Sequence, residues 1–105
     1  MTVLKPVMLL SDIAKRANKG SASDVDYFMS YLTNESSTQT LKMVDFAISQ
    51  IMSEEGVERI KYYLFNGTSI QRNYAALYFK RHKKEDVLLE AILMQRIDEK
   101  QVFSV

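Results

Sequence analysis

An all-α fold of about three antiparallel helix pairs is what this sequence predicts, on three observations. Apolar residues recur at three- and four-residue spacing along most of the chain, and turn-forming residues separate the periodic stretches. No apolar–polar alternation runs long enough for a strand. The stretch from Val57 to Ile97 reads as two amphipathic helices flanking a third that is apolar almost all round. In that middle segment Ile70, Tyr74, Ala75, Ala76, Leu77, Tyr78 and Phe79 fill most of the helical circumference, so it must touch neighbours on several sides.

The elements follow in order. A first helix is expected over about 6–18, with Pro6 at its first position, Gly20 just past its end and Leu10, Ile13, Ala14 and Ala17 as its buried stripe. Ser23 is the expected N-cap of a second helix over 24–32, where Asp24 and Asp26 suit the positive end of the dipole and Val25, Phe28, Tyr31 and Leu32 face inward. After the polar break Asn34-Glu-Ser-Ser, a third helix is expected over 38–53, carrying Leu41, Val44, Ala47, Ile48 and Ile51. A fourth follows Gly56 to Asn66, burying Val57, Ile60, Tyr63 and Leu64 and ending on a left-handed Asn66-Gly67 stop. Thr68 or Ser69 caps the fifth, which ends in the cations Lys80 to Lys84. Glu85 or Asp86 opens the sixth, with Leu88, Leu89, Ile92, Leu93 and Ile97 inward and Val87, Ala91 and Met94 outward.

These helices fall into pairs over about 6–33, 38–66 and 69–97, followed by a tail, 98–105, all in one domain. The pairs superpose at a spacing near thirty. A shift of 29 sets Leu41 on Ile70, Phe46 on Ala75, Ile48 on Leu77, Ile60 on Leu89 and Leu64 on Leu93, and a shift of 32 sets Phe28 and Leu32 on Ile60 and Leu64. A thirty-residue hairpin cannot bury both of its apolar faces alone, so such units stack. The run from Gln71 to Phe79, with Arg72, Ala75, Ala76 and Phe79 at its pattern positions, resembles the first helix of the short HEAT-like repeats of phycobilin-lyase type. Gln71 stands where that family usually has an aliphatic residue, and helix three departs further, with Met43 and Gln50 at the Arg and last apolar positions. The resemblance implies a right-handed α-α superhelix used mainly as a binding surface, and imports no activity.

Composition narrows the function. Of 105 residues, 47% are hydrophobic and 26% charged, the balance of an ordinary folded domain. Fourteen Lys plus Arg against 13 Asp plus Glu leave a formal charge of +1, so no global field draws the molecule to nucleic acid or an acidic membrane. The absence of Cys removes disulfides and thiolate chemistry and suits a cytoplasmic location. The apolar start is interrupted by Lys5 and Pro6 and lacks a small-residue cleavage pattern, so no signal peptide is expected, and no window is long and apolar enough to span a membrane. The single His82 lies in a run of cations and is expected in solvent, without partners for a metal site. Glu54-Glu55 and Asp24/Asp26 are explained as dipole compensation. With only Gly20, Gly56 and Gly67, no phosphate loop can be built. Neither a catalytic constellation nor a cofactor is expected.

Two exposed features remain. Tyr62 and Phe65 lie opposite the inner stripe of the fourth helix, alongside Lys61. The second helix of each pair lines the concave face of a HEAT-like stack, so these three and Met94 are candidate contacts for a peptide or partner helix. Arg72, Lys80, Arg81, Lys83 and Lys84 form a basic patch uninterrupted by acid, which would suit an acidic partner or a phosphate backbone, although Glu58, Glu85 and Asp86 lie close by. A non-enzymatic protein-interaction module is the expectation, with polyanion binding at 80–84 the alternative. The outward side of helix six is expected to be covered by the tail through Val102 and Phe103, or by a second chain in a homodimer.

Overall fold

The computed structural model describes residues 9–97, and these form six α-helices with no strand among them. They are α1 Leu10–Lys19, α2 Ala22–Met29, α3 Thr38–Ser49, α4 Glu54–Asn66, α5 Ser69–Arg81 and α6 Glu85–Leu93. The expected helix start at Pro6 and the tail over 98–105 lie outside the described residues.

Hydroxyl caps set most of the helix starts, and they move several expected boundaries. Ser21, not Ser23, caps α2. Its hydroxyl accepts from the Asp24 N–H at 3.2 Å while the Asp24 carboxylate accepts from the Ser21 N–H at 3.0 Å, a reciprocal box that a cap at Ser23 would forgo. Ser37 caps α3, Ser53 caps α4, and Thr68 with Gln71 makes a second capping box at α5. Helix α3 therefore stops at Ser49 instead of reaching Ser53, because Ser53 must be extended to cap the next helix, which starts two residues before Gly56. Gly67 is not a left-handed stop. At φ −76° it is extended, and what it supplies is room, since a Cβ there would stand 2.6 Å from the Tyr63 carbonyl oxygen. The left-handed positions are Gly20, Lys83 and Gln95, the residues on which α1, α5 and α6 turn away.

The helices form two sets. In one, α1 packs on α3 and α3 on α5; in the other, α2 packs on α4 and α4 on α6; cross-packing of α1 with α2, α2 with α3, α4 with α5 and α5 with α6 joins them. Polar contacts repeat at one sequence offset: Gly20 with Ser53, Ala22 with Glu55, Asp26 with Arg59 and Ser49 with His82 are each 33 residues apart. A constant offset means that α2 and α4 run parallel, in register. The buried side chains form one cluster centred on Phe28, Phe79, Met29, Ile48, Ile60 and Leu64. Helix α5, apolar nearly all round, packs on α3, α4 and α6 as its composition requires.

The repeat register of the later pairs differs from the shift of 29. The caps Ser37 and Thr68, and likewise Ser53 and Lys84, are 31 positions apart (37 to 68, 53 to 84), which sets buried Val44 on Ala75, Ile48 on Phe79 and Ile60 on Ala91. The shift of 29 would equate exposed Phe46 with buried Ala75 and buried Leu64 with exposed Leu93. The shift of 32 between α2 and α4 agrees with their caps, Ser21 and Ser53, and with the burial of Phe28, Leu32, Ile60 and Leu64. In α6 the inner face is accordingly Leu88 and Ala91 with Val87 and Ile92 beside them, while Leu89 and Leu93 point to solvent, a rotation of the expected stripe. On α1 only Ile13 and Ala17 are buried; Leu10 and Ala14 are exposed.

Candidate interaction surfaces

Helix α4 carries three of the four side chains expected to contact a partner, and it spreads them over different sides. Arg59 and Tyr63 face α2, Lys61 faces α6 with its ammonium 3.9 Å from Glu90 Oε2, and Tyr62 lies on the solvent side between them. Phe65 is half-buried against the core, and Met94 is the exposed C-cap of α6. The set is therefore not one contiguous apolar face.

What gathers around Tyr62 is a charged and aromatic cluster that sequence periodicity did not single out. The Arg59 guanidinium lies 4.4 Å from the Tyr62 ring centroid and 5.6 Å from that of Tyr63, and donates from Nε to Asp26 Oδ1 at 2.7 Å and from Nη2 to Oδ2 at 3.3 Å. Tyr63 donates its hydroxyl to the same Oδ1 at 2.7 Å. Partial burial alone would raise the Asp26 pKa. The hydrogen bonds from Arg59 and Tyr63 and the charge of Arg59 outweigh it and hold the carboxyl below its ordinary range. Burial, followed by the bond to that carboxylate, pushes Tyr63 up to about 12. Asp24 is arranged similarly: burial raises it, but bonds from Ser21 and the guanidinium of Arg16, itself 4.0 Å from the Tyr27 ring centroid, bring it below the usual value. A 33-residue Asp–Arg spacing was the available signal, and it becomes readable only once the repeat length is known.

The basic residues do not form one patch. Arg72 lies in the first turn of α5, donates to the Arg96 carbonyl at 3.2 Å and has its Nε buried without a partner; Lys80 to Lys84 lie at the other end of the same helix. Arg81 donates to Asp45 at 2.8 Å on α3. Lys84 shares the wall of a pocket of about 320 Å³ with Glu54 and Glu58, so acidic side chains adjoin this turn. His82 is not in open solvent. Its ring stacks at 4.2 Å on Tyr78, and its Nε2 lies 3.3 Å from the Ser49 carbonyl.

The largest opening lies elsewhere, between α1 and α3. A groove of about 610 Å³ is walled by Leu10, Ile13, Ala14, Met43, Phe46 and Ala47, with Asn18, Gln39, Lys42 and Gln50 among its polar neighbours. Lys42 is the single charged residue of the lining. The sequence assigned Leu10 and Ala14 to the core and superposed Phe46 on a buried position, so this surface was hidden inside an apparently ordinary stripe. Among the described residues no group of three or more His, Cys, Asp or Glu is placed to hold a metal ion, and no helix is long and apolar enough to cross a membrane. Compared with known proteins, the chain matches no family model, no curated protein and no solved structure. The fold and its surfaces thus define an all-helical domain with an open apolar groove.

Proposed function

We propose that this chain is a non-enzymatic protein-interaction module of the cytoplasm, a short right-handed HEAT-like array of three helix pairs that receives an apolar stretch of another polypeptide. The observation that carries the reading is the α1/α3 groove, in which Phe46 is 65% exposed beside Leu10 and Ala14 on a chain that otherwise buries its aromatics well. Grooves of this size with an apolar wall and a polar rim suit a helix laid on its apolar side. The constant 33-residue offset supports the array, since stacked pairs bring equivalent positions together at one spacing. The even-helix face with Tyr62, Arg59 and Met94 is a secondary contact surface in this reading.

Polyanion binding at residues 80–84 has weaker support, because Arg81 is already paired with Asp45 and Lys84 adjoins Glu54 and Glu58. The two readings separate by experiment. A photo-crosslinking amino acid in place of Phe46 should give polypeptide adducts in native lysate, lost when Leu10 is changed to Lys. Adducts no more abundant than from a probe at Asn34, together with salt-sensitive retention on heparin abolished by Lys80→Glu/Lys83→Glu, would overturn the first reading in favour of the second.

A further inference from the structure

Two apolar surfaces are left open on the described residues, and they carry opposite charge. On the groove side Leu10 is 77% and Phe46 65% exposed, Lys42 is the charged residue of the lining, and α1 adds Lys15, Arg16 and Lys19 against Asp12. On α6, Leu89 is 55% and Leu93 82% exposed, four residues apart and so one turn along the same side. Glu85, Asp86 and Glu90 flank them, and the helix has no cation. Arg16 is tied to Asp24 and Glu90 faces Lys61; the remaining Lys15, Lys19 and Lys42 still oppose Glu85 and Asp86 in sign.

Resting on the reading of the α1/α3 groove as a polypeptide-binding surface, we propose that its occupant is α6 of a second copy of this chain, with Leu89 and Leu93 seated against Leu10 and Phe46. Charge selects this pairing over symmetric ones. An α6-to-α6 dimer would set Glu85, Asp86 and Glu90 against their own images, and a groove-to-groove dimer would do the same with Lys42. Pairing unlike surfaces is heterologous, so each copy keeps one free groove and one free α6, and copies add head to tail. A nine-residue helix makes a small contact, which places the association among the weak, reversible ones.

Sedimentation equilibrium of the full chain from micromolar to millimolar concentration tests this. The average mass should climb past that of a dimer without levelling, and high salt should shift the rise to higher concentration. Phe46→Lys and Leu93→Lys, both at exposed positions, should each remain monomeric with unchanged helicity. Their equimolar mixture should form a dimer and grow no further, since one variant retains the α6 face and the other the groove. A wild-type chain monomeric throughout, a plateau at a dimer, or a mixture that stays monomeric would overturn the proposal. If the wild type is monomeric while a photo-crosslinker at Phe46 still captures other polypeptides, the groove reading stands and this inference alone fails; if neither occurs, both fail.

Discussion

The Ser53 hydroxyl donates to the carbonyl of Gly20 at 2.6 Å while accepting from the N–H of Gly56 at 3.0 Å, so one side chain starts α4 and ties it to the end of α1. Its neighbour Gly56 is required by the same approach, because a Cβ there would lie 2.4 Å from the Gly20 oxygen and from Ile51 Cγ2. Ser53→Ala removes a cap and leaves a carbonyl without its partner, an expected loss of about 1–3 kcal/mol. Ser37→Ala, which removes the cap of α3 alone, should cost about 1 kcal/mol. Gly56→Ala should cost about 2 kcal/mol or more, as overpacking against backbone. Urea denaturation orders the three; equal midpoints for Ser53→Ala and Ser37→Ala would remove the tie to α1 from the account.

The junctions between helices were legible in the sequence wherever a hydroxyl, a glycine or a charge run marks them, and the errors there were of two to four residues. Ser21 and Ser23 both fit a cap pattern, and only the Arg59–Tyr63 engagement of Asp26 shows why the box forms with Asp24. The groove was not legible for a different reason. Periodicity shows which side of α1 is apolar, but not whether a neighbour fills that side completely, and between α1 and α3 the small Ala14 and Ala47 leave it open.

The Asp26–Tyr63 pair makes stability depend on pH at both extremes. Asp26 is held below its ordinary 3.8, so its contribution is present above that value and is lost as pH falls through the folded-state pKa. Tyr63 is raised from 10.0 to about 12, so its contribution is intact below pH 10 and declines as pH rises through the window from 10 to about 12. Asp26→Asn should flatten the acid limb. Tyr63→Phe should flatten the alkaline limb and cost about 1 kcal/mol at neutral pH. Thermal midpoints from pH 2 to 12 read both, and an alkaline limb that survives Tyr63→Phe would assign it to another group.

Lys83 ends α5 at φ 58°, where the Lys84 N–H reaches back to the Phe79 carbonyl at 2.9 Å. Glycine adopts that conformation without the Cβ penalty, partly offset by its greater freedom when unfolded. Lys83→Gly should therefore stabilise by about 0.5–1 kcal/mol, and Lys83→Val, branched at Cβ, should destabilise. A fall in the urea midpoint for Lys83→Gly would mean that the ammonium contributes more than the backbone strain removes.

The orientation of α6 can be decided by two substitutions that its sequence alone ranks in the wrong order. In EDVLLEAIL apolar residues occur on every side, so a stripe through Leu89 and Leu93 and one through Leu88 and Ala91 fit helical periodicity about equally. Capping decides between them, since the 31-residue step places Ala91 where Ile60 stands in α4, fully buried, and leaves Leu93 82% exposed. A small residue at the closest approach is what lets α6 sit near α4 and α5. Leu93→Ala should then shift stability by no more than about 0.5 kcal/mol, as exposed substitutions do, whereas Ala91→Leu should cost about 1–3 kcal/mol by overpacking. Chemical denaturation in dilute solution, where copies do not associate, gives both values. The reverse order would turn α6 by about 100° and place Leu89 and Leu93 in the core, closing the surface on which head-to-tail association depends.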